Sequence, residues 1–402
     1  MSRRDTFASL AIPQYRYLLA GTALSQIASW MEEIARGWLI HQQLNGSAFQ
    51  LGLIAFIRGF SQLLVSPFAG TLVDRFDRRR IAALTQIVPA IDATIIAVLV
   101  ATDQIAMWQL YPLVTISGIT GAINVPTRQV LVYDVVGGER ITNAIALNAV
   151  VANTSRIIAP AVGGIVIGTV GIAASYYAQA VFFGLATSAT FLLNPTRHGD
   201  AIREPVFDSI RQGFAYVRDN PTMARLVLLN VIPNLLIYPY VAMIPIFATD
   251  VLDVGSEGYG ILLTGVGIGS IPGGLIVAGM SGSSSRGRTM SLAALVYMGL
   301  VLCFALSSWF FVSFAVLIVA GVGWSMMVTL NQTLLQVHVE DAYRGRVLSL
   351  YSMASGTTPF GNLAMGVSAD GLGVQAAVAT FAIIALICAA TLGIGSARVR
   401  RL

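Results

Sequence analysis

Glu32, Glu33 and Arg36 lie inside one apolar run, YLLAGTALSQIASWMEEIARGWLIHQQL, that is long enough to cross a bilayer. A charge at the bilayer centre costs from roughly 2.5 to well over 10 kcal/mol, so such residues face a partner or a water-filled cavity. A carboxyl group there has a chemistry that arginine lacks: it can take up and release a proton. Ser25, Ser29, Glu32 and Arg36 follow i, i+4, i+7, i+11 and share one helix face, along which Glu32 and Arg36 can pair. Glu33 lies about 100° around the same helix. In the next apolar run Arg58 and Gln62 are also four apart, and Arg58 falls at a depth similar to Arg36 if the two runs cross in opposite directions. Two readings stay open. The cluster is either a permanent ion-pair network that orients two helices, or it holds a proton carrier, best placed at Glu32 with Glu33 as the alternative.

Other polar residues interrupt apolar runs. Asp92 is central in the third run, as a buried hydrogen-bonding group or as a proton relay. Arg128 shares a face with Asn124, Gly121 and Ser117; it suits an acidic substrate group, a proton-coupled carboxylate, or an ion pair at the inner end of its helix. Arg156 lies one turn before Pro160, near the centre of a run, where a carboxylate or an anionic ligand would explain it. The second half has only neutral candidates: Asn230, Asn234 and Tyr238 spaced by four, Asn331 and Gln332, and Asn362, with Trp324, Met326 and Met327 as adaptable apolar contacts. Each of these also fits plain hydrogen bonding between helices. No nucleophile triad, metal-ligand spacing or phosphate loop occurs, so an enzyme, a cofactor and a metal site are not expected. Cys303 and Cys388 sit in apolar runs, and His41, His198 and His338 are scattered.

The elements that position these residues follow from composition. The 402 residues are 56% hydrophobic and 11% charged, and the mean hydropathy is +0.75. A soluble domain needs more charge to cover its surface. Twelve spans are expected, near 16–42, 49–73, 81–102, 106–133, 142–169, 172–193, 222–249, 257–280, 289–307, 309–336, 343–369 and 374–396. All 24 basic residues are arginine. Outside the spans every one falls before span one, after span twelve, or in a loop following an even-numbered span. The opposite loops carry Asp103, Asp250, Asp253, Glu257 and Asp370 instead. The positive-inside rule therefore predicts both termini in the cytoplasm. It also accounts for the net charge of +5 without nucleic acid. The stretch EPVFDSIRQGFAYVRDNP reads as an amphipathic helix on the inner membrane face. It divides the chain into bundles at 1–194 and 222–402 with a linker at 195–221. Segments 128–147 and 332–351 align weakly, placing Arg140 over Arg344 at equivalent positions of the two halves, an arrangement found in transporters.

GTLVDRFDRRR (70–80), at the end of span two, resembles the signature between the second and third helices of the major facilitator superfamily. That resemblance implies an all-α membrane protein with twelve transmembrane helices in two pseudo-symmetric six-helix bundles. It makes Gly70, Asp74, Arg75, Arg78 and Arg79 a cytoplasmic gate motif. Gly70 would allow close helix approach, Asp74 would face a helix N-terminus, and the arginines would pair with carboxylates or phospholipid. Asp77 stands where the family usually has glycine, a departure that resembles the drug:proton antiporter subgroup containing the enterobactin exporter and macrolide efflux proteins. SRIIAPAVGG (155–164) is similar to the helix-five antiporter motif through Pro160, Gly163 and Gly164. The second copy of the gate motif, GMSGSSSRGR (279–288), lacks the aspartate. The resemblance implies a monomer in a bacterial inner membrane that exchanges protons for a small amphipathic molecule by alternating access. An uptake symporter or uniporter for an organic anion, and a non-transporting receptor or scaffold, stay as alternatives.

Overall fold

The computed structural model describes residues 7–194, 206–280, 286–340 and 343–394. The expected basic tails at Arg3, Arg4, Arg398, Arg400 and Arg401, the linker residues Arg197, His198 and Arg203, and the middle of 279–288 lie outside the described residues.

Each of the twelve expected spans contains a helix, and the described residues include no strand. We name the helices α1 (Pro13–Trp38), α2 (Ala48–Arg75), α3 (Arg78–Ala101), α4 (107–136), α5 (138–170), α6 (Ile172–Phe191), α7 (Val206–Asp219), α8 (Pro221–Val251), α9 (Ser256–Gly279), α10 (Arg286–Leu306), α11 (Phe310–His338), α12 (344–372) and α13 (Val374–Ala389). Where a loop was expected between spans four and five, helical hydrogen bonding runs on from Met107 to Val170. The break is a single residue, Gly137, at φ 70° and ψ 173°. Only glycine adopts that conformation without strain, so the direction of the chain changes there without a loop. In α8, Pro233 begins a π turn that ends with the Tyr238 N–H donating to the Pro233 carbonyl at 2.7 Å. A second π turn follows at Phe247–Val251, after Pro245. Proline offers no N–H to the regular ladder, and the π turns take up the mismatch. In α12 the ladder tightens to a 3₁₀ turn at Ser355–Thr357 just before Pro359.

Contacts divide the chain into two units, 1–44 with 57–202, and 45–56 with 203–402. In the first, α3 lies along α6, and α1 packs on α6 and on the 107–170 helix. Tyr15, Leu18, Leu131, Val132, Val136, Ala144 and Leu193 form a buried cluster at its arginine-rich end, where the Tyr15 hydroxyl donates to the Ala144 carbonyl at 2.8 Å. In the second, α9 and α10 both pack on α11, and α10 also packs on α13. The start of α2 belongs to this unit: the Asp370 carboxylate accepts from the Ser47 hydroxyl (2.8 Å) and the Phe49 N–H (3.1 Å), capping the helix. On α7, Val217 is buried, Phe214 is exposed and Tyr216 stacks on Tyr343 with ring centroids 4.5 Å apart. Large apolar side chains such as Phe68, Leu275, Phe311 and Ile387 stand exposed, which suits hydrocarbon and not water. Among the described residues eight stretches are each long and apolar enough to cross a membrane, and one of them, Met107–Val170, has 64 residues, enough for two crossings.

Candidate functional site

The charges of the first unit meet in one place. Arg36, on the buried face of α1, donates from Nη1 to Glu32 Oε1 at 2.6 Å and from Nη2 to Glu33 Oε2. Arg58 of α2 donates to the same Glu33 oxygen at 2.9 Å. From α4, the Ser117 hydroxyl donates to Glu32 Oε1 at 3.0 Å. Glu33 thus has two arginines, whereas Glu32 has one arginine and one hydroxyl. The position after Ser117 is Gly118, and a Cβ there would collide with the Arg58 carbonyl. That missing side chain lets α4 touch the α2 backbone, bringing Ser117 and Arg58 to the two glutamates together. The sequence placed Glu32, Arg36 and Arg58 together; the part played by Gly118 went unnoticed, although its neighbour on the polar face marked it.

Asp92 joins this cluster, a neighbourhood that its central position in the third span did not by itself specify. It is 8% exposed, lies within electrostatic reach of Glu32 and Arg36, and has no arginine within 4.0 Å among the described residues. Its Oδ1 has no hydrogen-bond partner among them either. Tyr176 of α6, fully buried, interacts electrostatically with Asp92, Glu32, Glu33 and Arg36, and its hydroxyl likewise has no hydrogen-bond partner among the described residues. Nothing in the sequence distinguished Tyr176 from its neighbour Tyr177.

Arg128 lies in a separate setting in the same unit. Its Nε donates to Asn124 Oδ1 (3.0 Å), Nη1 to Thr22 Oγ1 (2.6 Å), and Nη2 to Ser25 Oγ (2.7 Å) and the Gly21 carbonyl (3.5 Å). Asn124 in turn donates to Thr85 of α3 at 2.8 Å. Of the readings open for Arg128, the ion pair is not made among the described residues: every acceptor there is neutral. Arg156 stacks over the Trp30 ring at 5.6 Å, and Pro160, Gly163 and Gly164 are buried, with Gly163 facing Met31 and Ile34 of α1.

In the second unit a cavity of about 140 Å³ is lined by Asn230, Asn234, Tyr238, Trp324, Met327 and Tyr351, among others. The Asn230 amide donates to the Tyr351 carbonyl (3.0 Å) and the Asn234 amide to the Asn230 carbonyl (2.8 Å), so both side chains are positioned by α8 and α12. Three expected residues lie elsewhere. Asn331 is buried with its amide on the Leu226 carbonyl at 3.1 Å, a bond that ties α11 to α8. Gln332, one residue and about 100° further on, is exposed. Asn362 turns its backbone carbonyl to Gly52 at a helix contact.

The motif at 70–80 also differs from expectation. A Cβ added at Gly70 would meet nothing within 4 Å among the described residues, and Asp74 makes no hydrogen bond or ion pair among them. The helix N-terminus is served by Asp77 instead, which caps α3 by accepting from the Arg79 N–H at 2.9 Å. Arg78 pairs with both oxygens of Asp134 (3.0 and 2.9 Å), and Arg79 donates to the Leu193 carbonyl at 2.7 Å while lying over Phe191. Asp134 is a partner the sequence reading did not identify.

This arrangement holds charge and fits no bond-breaking chemistry. Carboxyl groups in such a setting can exchange protons, and a guanidinium held by neutral oxygens can hold an anion. Comparison with known proteins agrees with a transporter. The sequence profile of the transmembrane secretion effector family matches residues 4–400. The chain is 25% identical over 389 residues to the staphyloferrin A transporter of Staphylococcus aureus, covering 92% of each chain. It is 22% identical to macrolide efflux protein A of Streptococcus pyogenes, covering 89% of each. The crystal structure of the nucleoside transporter NupG shares the fold, with a TM-score of 0.77 and 12% identity over 94% of this chain and 98% of that one. The protein is therefore a multi-pass membrane transporter of the major facilitator superfamily, in its transmembrane secretion effector family.

Proposed function

We propose that the protein is an exporter that exchanges external protons for a small amphipathic molecule by alternating access. The observation that carries this reading is the meeting of three carboxyl groups, the partly covered Glu32 and Glu33 and the buried Asp92, around two arginines that pair with them among the described residues, Arg36 and Arg58. A buried charge left without a partner is costly. Here one acid is in excess, and a group that gains and loses a proton accounts for it. Glu32, held by a single arginine, and Asp92, held by none, are the carriers; Glu33 is fixed by Arg36 and Arg58. The protein sits in the bacterial inner membrane with its arginine-rich loops in the cytoplasm. The cavity at Asn230, Tyr238 and Trp324 contributes apolar and hydrogen-bonding contacts to the cargo. The name of one relative, a macrolide efflux protein, supports outward transport, and that of another, a staphyloferrin A transporter, supports a small-molecule cargo.

Proteoliposomes with an imposed proton gradient test this, with staphyloferrin A and a macrolide as the first compounds. Wild type should move cargo faster as the gradient steepens. Glu32→Gln together with Asp92→Asn should remove that dependence. Transport that ignores the gradient in wild type, or keeps its dependence in the double variant, would sink the proposal.

A further inference from the structure

The arginines of the first unit differ in what neutralises them. Arg36, Arg58 and Arg78 each reach a carboxylate oxygen at 2.6 to 3.0 Å. Arg128 has no carboxylate within 4.0 Å among the described residues, only the oxygens of Asn124, Thr22, Ser25 and Gly21. These acceptors are fixed beforehand. The Thr22 hydroxyl donates to the Leu18 carbonyl (2.8 Å) and the Ser25 hydroxyl to the Thr22 carbonyl (3.1 Å), so each turns a lone pair to the guanidinium. Asn124 is held by its amide on Thr85. Four of the five N–H groups are thereby used and one Nη1 hydrogen stays open. A cage of neutral oxygens holds the guanidinium in place and leaves its charge intact. In a poorly polarisable interior that charge draws an anion strongly. The residue as a whole is only partly covered.

We propose that Arg128 is the anion-binding residue of this transporter, and that its cargo carries a carboxylate or a comparable organic oxyanion. The assignment of that anion as cargo rests on the exporter reading above; the binding itself does not. Because the cage already exists, the site pays little reorganisation on binding.

The test uses full-length protein in neutral phosphatidylcholine nanodiscs at low chloride, with benzoate and its uncharged near-isostere benzamide as probes. Thermal unfolding and equilibrium binding should show benzoate bound at least roughly tenfold more tightly than benzamide, as expected of a charge-assisted hydrogen bond. Arg128→Gln should abolish the difference. Ser25→Asp supplies an internal carboxylate to the guanidinium; it should raise the melting temperature and also abolish the difference, which separates loss of the site from loss of the fold. The proposal is overturned if benzoate and benzamide bind alike, if Ser25→Asp binds benzoate like wild type, or if chloride competes on equal terms with benzoate, which would mark an inorganic-anion site. None of these readouts depends on a proton gradient, so failure here leaves the exporter reading standing, and the reverse also holds.

Discussion

Arg36 and Arg58 share a carboxylate oxygen of Glu33 but differ in surroundings, and the difference sets what each contributes. The Arg36 side chain is 7% exposed and answers two glutamates; the Arg58 side chain is 33% exposed and answers one. Removing one partner of a buried ion pair costs about 3–5 kcal/mol, because the partner is left as an uncompensated charge. A pair reached by solvent is worth about 1 kcal/mol or less. Arg36→Met should therefore lower stability by about 3 kcal/mol, and Arg58→Met by about 1 kcal/mol, both measured by reversible denaturation in mixed micelles; equal losses would contradict the ranking. At this scale the sequence carried the cluster well, since Glu32 and Arg36 are helical neighbours and Arg58 falls at their depth. It carried the Arg128 cage only along its own helix, to Asn124. The oxygens of Thr22 and Ser25 come from another helix, and neutral hydroxyls leave no charge pattern by which a contact across helices can be read.

At the scale of elements, a gate motif that departs from its family shows its local logic at Asp77. The loop between α2 and α3 is only two residues long, and α3 begins at Arg78. A short side-chain acceptor just before that helix satisfies an N–H that would otherwise lack a partner, and the carboxylate also favours the positive helix end. Asp77→Ala should cost about 1 kcal/mol locally, and Asp77→Gly only a few tenths, since glycine is itself tolerated at this position. Hydrogen exchange of the first-turn amides of α3 reads this directly: about fivefold faster in Asp77→Ala, and nearly unchanged in Asp77→Gly. Exchange accelerated equally by both would show that the cap contributes nothing. Helix order along the chain was plain from hydropathy, but helix neighbours were not. Asp92 was expected as a buried hydrogen-bonding group or a relay, but its neighbours were not named, because span number says little about which face of α3 meets α6. Asn331 and Gln332 make the same point, since one residue and about 100° separate a buried amide from an exposed one.

For the molecule as a whole, the distribution of arginine determines which ends of the helices share a side. Loops after even-numbered spans carry the arginines, and the opposite loops carry none. Moving that many cations across the bilayer is so unfavourable that the pattern supports the twelve-span count and predicts the direction of the spans. Missing one helix would have put arginines on both sides, which is why the twelve-span count survived even where α4 runs into α5 without a loop. The break at Gly137 lies at the arginine-rich end, and the turn around Gln104 lies at the other. With Cys303 and Cys388 replaced by serine, Gln104→Cys should react with a membrane-impermeant maleimide in intact cells. Glu139→Cys, beside the break at Gly137, should react only after the membrane is permeabilised. Both positions are exposed, so a failure to label reflects sidedness and not burial. The reverse pattern would invert the topology and turn the proposed proton path around, because Glu32 and Asp92 would then load from the cytoplasm; equal labelling at both sites would mean that the helix count itself is wrong.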